Sequence, residues 1–278
     1  MISLNECKTV NYWHAFMELC MEKITGKNND LIKGIKKLLS SSKERKDKGL
    51  FVIEGARLVF DVLNSFYRVE TFLVTEDSYE KYKSQCDEMI LRADKSYIIS
   101  NDISIKLSET KSSQGVFAVC YMADNSFTAE QGKKYVALDN VQDPGNLGTI
   151  IRTAEALGID GVLVGSGCDI FNPKALRASM GSMLRVNVNQ IIDLEKELNN
   201  LKANGFMIYG TVPDSSAKAI TDIDFSNGGI CVIGNEANGI GNEIKNLCNE
   251  LITIKMLGRA ESLNASVAAS ITMWEMLR

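Results

Sequence analysis

From residue 135 onward, short apolar runs rich in β-branched residues alternate with helical stretches. The runs read YVALDN, GVLVGS, RVNVN, FMIYGTV, ICVIGN and LITIKM, and between them lie segments such as GNLGTIIRTAEALG, PKALRASMGSML and DLEKELNNLKANG. A strand that is apolar along its whole length must be covered on both faces. Strands that alternate with helices satisfy that need by forming a parallel sheet between two helical layers. Pro144, Pro173 and Pro213 all fall in this half, at strand–loop junctions or helix starts. Asn172-Pro173 has the form of an N-cap followed by proline at the first helical position. Pattern alone predicts a doubly wound, Rossmann-type α/β sheet over residues 135–278.

The first half predicts a separate, smaller α/β domain over residues 28–121. An amphipathic helix at 31–40 places Ile32, Ile35, Leu38 and Leu39 on one side, with Asn29 or Asp30 as its N-cap. Strands are expected at about 50–54, 70–75, 97–99 and 116–121, with helices at about 56–66 and 77–90. Residues 1–27 read as a helical extension, with Tyr12, Phe16, Leu19 and Lys23 spaced for one face. Residues 122–134 are polar and aperiodic and read as a linker. A length of 278 residues is enough for two cores.

Composition removes several chemistries. At 45% hydrophobic and 24% charged residues the chain is globular, and no apolar run approaches the roughly 20 residues of a membrane helix. The N-terminus lacks the basic-then-apolar order of a secretory signal, so a soluble, cytoplasmic protein is expected. Seven cysteines, odd in number and without a CxxC pair, predict neither a disulfide framework nor a structural metal site. Cys120 and Cys231 sit in apolar runs and read as small buried hydrophobes. The single histidine, His14, lies in the N-terminal extension. Chemistry in the two main domains must therefore run on Asn, Ser, Arg and Glu.

Three segments place small residues and side-chain oxygens directly after strands: 138–152 (LDNVQDPGNLGTIIR), 230–241 (ICVIGNEANGIG) and 251–270 (LITIKMLGRAESLNASVAAS). Such segments surround a ligand with backbone N–H and C=O groups, at the strand ends where α/β sheets bind ligands. A nicotinamide site fits poorly. Gly165-Ser166-Gly167 and Gly239-Ile240-Gly241 both lack a third glycine and the first-βα-turn setting.

Taken in order, DPGNLGTIIRTAEALG, GNEANGIG and IKMLGRAESLNASVA resemble the three motifs of the SpoU, or TrmH-like, branch of the SPOUT RNA methyltransferases. Within residues 28–120, NNDLIKGIKKLLSSSKERKDKGLFVIEGARLV and SSQGVFAV resemble the RNA-binding domain that often precedes the catalytic one. The resemblance implies a deep trefoil knot in the C-terminal domain and S-adenosylmethionine as cofactor, walled by Thr211, Gly234, Ile254, Met256 and Leu263. It implies catalytic roles for Asn146, Arg152, Glu236, Ser262 and Asn264, a homodimer through the C-terminal domain, and no metal.

The implied reaction is methyl transfer to a ribose 2′-hydroxyl, in ribosomal RNA ahead of transfer RNA. A fold-sharing RNA-binding factor without turnover is the rival. Arg152 suits a phosphate through its bidentate fork, and a guanidinium is a poor base. Glu236 is expected to order the site by accepting hydrogen bonds from Arg152 or Asn146. Residues 135–278 hold 11 Lys and Arg against 16 Asp and Glu, so RNA attraction must come from elsewhere. Residues 33–48 carry seven basic side chains against Glu44 and Asp47, and Lys43, Arg45, Lys46 and Lys48 are the expected RNA contacts.

Overall fold

The computed structural model describes residues 21–109, 112–123 and 127–278. The described residues divide into two compact units, one up to residue 123 and one from residue 127. No helix among the described residues is long and apolar enough to cross a membrane.

The first unit runs β1 (Glu22–Ile24), α1 (Asp30–Ser40), α2 (Ser42–Lys48), β2 (Leu50–Glu54), α3 (Ala56–Asp61), β3 (Val69–Thr75), α4 (Glu76–Lys81), α5 (Lys83–Arg92), β4 (Ala93–Ile99), α6 (Asn101–Leu107) and β5 (Val116–Tyr121). The sheet order is β1-β4-β3-β5-β2. β5 is antiparallel to both β3 and β2, and the other pairs are parallel. Ile32, Ile35, Leu38 and Leu39 of α1 pack with Val52, Leu73, Phe117 and Val119 of the sheet and with Ile103 and Leu107 of α6 in one buried cluster.

Several expectations are corrected here. Of the stretch 1–27 predicted as helix, the described part forms β1, an edge strand paired with Tyr97–Ile99; residues 1–20 lie outside the described residues. The helix expected at 56–66 stops at Asp61 and continues as a 3₁₀ turn, Val62–Asn64. The one expected at 77–90 breaks at Tyr82 into α4 and α5. Single-sequence periodicity does not register a one-residue break that leaves the apolar spacing intact.

The largest correction concerns Arg45. It is 2% exposed, and its Nη1 donates to the carbonyls of Leu38 at 2.5 Å and Leu39 at 3.2 Å. Ser41 has extended backbone between α1 and α2, and its hydroxyl caps α2 by accepting from Glu44 N–H at 3.2 Å. The chain thus turns back on itself, and Arg45 satisfies carbonyls that the end of α1 leaves without helical partners. It is a structural cation, not an RNA contact.

The second unit runs β6 (Lys134–Leu138), α7 (Pro144–Leu157), β7 (Gly161–Val164), α8 (Pro173–Ser179), β8 (Val188–Gln190), α9 (Leu194–Ala203), β9 (Ile208–Thr211), β10 (Lys218–Ala219), β11 (Gly229–Ile233), α10 (Asn242–Leu247), β12 (Glu250–Thr253) and α11 (Ala265–Met276). All seven strands are parallel, in the order β10-β12-β9-β11-β6-β7-β8. Alternate residues of the strands, such as Tyr135, Ala137, Ile230 and Val232, pack with Leu194, Leu198 and Leu201 of α9 and Ile244 of α10. Their neighbours Val136, Leu138, Cys231 and Ile233 are buried as well and point to the opposite face, where α11 contacts β6 and β11 and α7 contacts β7. Both faces are covered, as the continuous apolar runs predicted. Phe127 stacks on Tyr135 at 5.7 Å and Glu130 N–H donates to the Tyr135 hydroxyl at 2.9 Å, so the second half of the expected linker belongs to this unit.

α7 starts as the sequence predicts. Asp143 is the N-cap and accepts from Asn146 N–H at 3.0 Å, with Pro144 in the first turn. It lies so close to α8 that a Cβ on Gly148 would stand 2.5 Å from the Ala175 carbonyl oxygen. From β12 the chain returns through residues 254–264 to α11, which packs on α7. That return is the path along which the expected knot would be tied.

Truncating Arg45 leaves two helix-end carbonyls short of a donor in a buried site. Arg45→Ala is expected to destabilise the protein by about 1–3 kcal/mol in denaturant unfolding, whereas Lys43→Ala and Lys46→Ala, on exposed positions, are expected to stay within about 0.5 kcal/mol.

Candidate active site

β12, β9, β11 and β6 are neighbours in the sheet, and because they are parallel their carboxyl ends open on one side. A cavity of about 280 Å³ lies there, near the lower end of ligand-site volumes. Its walls include Thr211 at the end of β9, Gly234 after β11, and Ile254, Met256 and Leu263 after β12. Those are the five residues expected to hold the cofactor. Glu236 and Ser262 also line it, whereas Asn146, Arg152 and Asn264 are not among the lining residues.

Gly234 also has a packing reason to lack a side chain. A Cβ there would lie 2.1 Å from the carbonyl carbon of Gly239 and 2.3 Å from Ile240 N. The close approach it permits is that of the chain's own backbone, where Asn235 and Gly239 exchange two 2.9 Å hydrogen bonds and close the 235–239 turn.

A chain of hydrogen bonds links the three motif segments. Asn146 donates from Nδ2 to Glu236 Oε1 at 2.7 Å, and its Oδ1 accepts from Asn264 Nδ2 at 3.0 Å. Asn264 caps α11, accepting at Oδ1 from Ser266 N–H and hydroxyl at 2.9 and 2.7 Å. Glu236 accepts in addition from the backbone N–H of Gln142 at 3.3 Å and Asp143 at 3.4 Å. Burial raises the pKa of the Glu236 carboxyl. The hydrogen bonds from Asn146 and from the backbone of Glu236, Gln142 and Asp143 outweigh burial and hold it below the ordinary carboxylate value.

Arg152 is exposed on α7. The nearby carboxylates are engaged elsewhere: Glu155 accepts from Arg185 Nη2 at 3.0 Å, and Glu236 accepts from Asn146. Arg152 itself makes no hydrogen bond or ion pair among the described residues; of the two donors expected for Glu236, Asn146 supplies the bond and Arg152 does not. Six helical residues separate Asn146 from Arg152, about 9 Å along the axis and 120° around it. The two therefore face different parts of the surroundings. Ser262 is exposed at the cavity's edge.

Sequence reasoning passed over the residues that fix the loop between β6 and α7. Asp139 accepts from Gly241 N–H at 2.7 Å, Asn140 has a left-handed backbone with φ 56°, and Asn235 Nδ2 donates to the Asn140 carbonyl at 2.8 Å. Asp143 also pairs with Lys174 at 2.8 Å, and this hydrogen bond is the main reason its carboxyl sits below the ordinary range. The motif letters DN, GN and DP contain these residues, but only the fold brings them together.

The cavity suits an adenosine-bearing ligand. Ile233, Ile240, Ile254, Met256 and Leu263 offer apolar faces. Residues 255–263 lie outside helix and strand, and their backbone N–H and C=O groups make no hydrogen bond among the described residues. A purine edge needs such unclaimed donors and acceptors beside an apolar slot. No group of three or more His, Cys, Asp or Glu among the described residues is arranged to hold a metal ion.

Comparison with known proteins agrees with this geometry. The profile of the SpoU rRNA Methylase family matches residues 133–274, and that of the MRM3-like substrate binding domain matches residues 29–118. The chain is 34% identical to the 23S rRNA (guanosine(2553)-2′-O)-methyltransferase RlmP of Bacillus subtilis, over 92% of this chain and 99% of that protein. Among solved structures it is similar to an AdoMet-bound rRNA methyltransferase from Sinorhizobium meliloti, with TM-score 0.82, 27% identity, and 92% and 97% of the two chains covered. It is also similar to the SpoU methyltransferase AviRb from Streptomyces viridochromogenes in complex with AdoMet, with TM-score 0.79, 26% identity, and 90% and 97% covered.

The lowered pKa of Glu236 carries a stability signature. A depressed carboxylate stabilises the fold above its unfolded pKa, about 4.3, and loses that contribution as pH falls through the folded value. The stability difference between wild type and Glu236→Gln is expected to be constant from about pH 7 to 5 and to shrink below about pH 4.3. Urea unfolding at a series of pH values checks it, and a difference that does not change down to pH about 3 counts against the charged hydrogen-bond acceptor.

Proposed function

The chain belongs to the SpoU rRNA methylase family, and on that premise we propose that it methylates a ribose 2′-hydroxyl of ribosomal RNA in the cytoplasm, using S-adenosylmethionine. The observation that carries this reading is convergence. Three segments far apart in sequence meet at one group of strand ends, where two of them wall a cavity fit for adenosine and all three are joined through Glu236, Asn146 and Asn264. Ribosomal RNA is favoured over transfer RNA by the substrate-binding domain match over residues 29–118 and by the activity named for the Bacillus relative.

Thr211, Gly234, Ile254, Met256 and Leu263 would hold the cofactor, with the backbone of 255–263 meeting its base. S-adenosylmethionine supplies a methyl group on a sulfonium whose charge disappears on transfer. With little charge to stabilise, the protein's task is to orient the ribose and favour loss of its hydroxyl proton. Arg152, exposed and unpaired among the described residues, would bind an RNA phosphate with both arms of its fork. A guanidinium stays protonated, and Glu236, held below the ordinary carboxylate pKa, is a weak base. Both are positioning groups. Asn146 and Asn264 tie the RNA-facing helix to the cavity loops, and Ser262 offers a hydroxyl at the cavity's edge. A factor that had lost turnover would have no need of this complete set.

Arg152→Ala is expected to lower methylation by about 10²-fold or more while leaving calorimetric affinity for S-adenosylmethionine nearly unchanged. An affinity that falls as steeply as turnover would assign the arginine to the cofactor instead. The same titration on the wild type tests the cofactor itself.

RNA contact through the first unit rests on Lys36 and Lys37 of α1 and Lys43 and Lys46 of α2, which are exposed and have no hydrogen-bond or ion-pair partner among the described residues. Lys48, also expected to contact RNA, is paired with Glu44 at 2.8 Å. Replacing those four lysines with alanine is expected to flatten the slope of log affinity against log salt by about two to four units. Filter binding across a salt series measures it, and an unchanged slope would mean the lysines are only solvated surface.

A homodimer through α11 is supported by its outward face. Val267 is 46% exposed, Trp274 58% and Leu277 39%, and Ile271 lies beside them half-buried. A tryptophan so exposed on an apolar helix face favours a partner surface. Light scattering at micromolar concentration is expected to give the mass of two chains, and Trp274→Glu the mass of one.

A further inference from the structure

We propose that Asn235 is a positioning residue that clamps the loop leading into α7 to the turn walling the cavity, so that cofactor site and RNA-facing helix move as one body. Its side chain spans both elements. Nδ2 donates to the Asn140 carbonyl at 2.8 Å, and Oδ1 accepts from Ala237 N–H at 2.8 Å and Asn238 N–H at 3.2 Å. The amide can face only this way, because a flip would aim its NH₂ at two N–H donors and its oxygen at a carbonyl.

The loop it holds is under constraint. Asn140 is one of two non-glycine residues among those described with positive φ, at 56°. That conformation is unfavourable for an L-residue, though asparagine tolerates it better than most. It persists because the surroundings fix it from both ends. Asn235 grips the carbonyl of residue 140, and Glu236, the next residue along, accepts from the N–H groups of Gln142 and Asp143. Adjacent side chains of opposite hydrogen-bonding polarity thus hold one five-residue loop. That loop ends in Asp143, the N-cap of the helix that carries Asn146 and Arg152. Asn235 and Ala237 through Gly239 line the cavity, so a ligand pressing on the turn acts on α7 through the Asn235 amide.

This inference rests on the methyltransferase reading, and Asn235→Asp separates the two. Aspartate keeps the acceptor that shapes the turn and replaces the donor with an oxygen facing the Asn140 carbonyl. Affinity for S-adenosylhomocysteine, measured by calorimetry, is expected to stay within about threefold, while kcat at saturating RNA and cofactor falls about tenfold or more. Adding Asn140→Gly, which takes the left-handed conformation without opposition, is expected to restore part of the lost kcat. Should Asn235→Asp fail to fold, Asn235→Ser, whose hydroxyl reaches only its own turn, takes its place. An unchanged kcat, an affinity that falls in step with kcat, or no recovery with glycine at 140 overturns the clamp. Wild-type protein that binds no S-adenosylhomocysteine overturns the methyltransferase reading instead.

Discussion

The hydrogen bonds running from Glu236 through Asn146 to Asn264 are the constraint on which the functional end of the second unit depends. None of the three residues is near another in sequence, and each also organises its own segment. Glu236 binds the loop before α7, Asn146 lies in the first turn of α7, and Asn264 caps α11. Each link is a short polar bond near solvent, worth about 1 kcal/mol net and somewhat more where the carboxylate is the acceptor. The chain does not hold the unit together. What it fixes is where the segments stand relative to one another, which is what a group-transfer site requires.

That arrangement is possible only because the sheet is parallel. β12, β9, β11 and β6 end on the same side, and their order brings segments after residues 138, 211, 233 and 253 within reach of one another. An antiparallel sheet would send every second loop to the far edge. The burial of both faces, by α9 and α10 on one side and α7 and α11 on the other, lets these strands be apolar throughout and leaves the loops to carry the polar work. The cysteines fit the same division. Cys231 is wholly buried within β11, and burial pushes its thiol pKa well above the ordinary value, so it behaves as a small hydrophobe.

The sequence made the second unit readable because its signals are local: apolar runs for strands, Asp143-Pro144 and Asn172-Pro173 for helix starts, and motif residues that stand next to the strand ends they serve. The residues expected to wall the cofactor line one cavity for that reason. Pairing was not. That Glu236 is held by Asn146 and not by Arg152 depends on the turn of α7, and that Gly234 makes room for Gly239 and Ile240 depends on how the chain folds back after β11. In the first unit the error at Arg45 has a similar origin. Charge along a sequence shows how many cations lie in a stretch, but the turn at Ser41 decides which of them points inward. Lysine stems can reach solvent from α2, whereas the arginine fork found two carbonyls to satisfy.

Moving Arg45 inside changes the electrostatic reading of the first unit. At physiological ionic strength the screening length is about 8 Å, so attraction of RNA depends on individual exposed lysines near the contact and not on the charge of a whole stretch. Lys33 and Lys48 are occupied by Asp30 and Glu44 at 2.9 and 2.8 Å, pairs of small value that an RNA phosphate could displace. Lys36, Lys37, Lys43 and Lys46 have no such competitor among the described residues. They occupy the last turns of α1 and successive turns of α2, helices that Arg45 locks together from beneath. By satisfying the carbonyls at the end of α1, the buried cation fixes the angle at which the exposed lysines of two helices are presented.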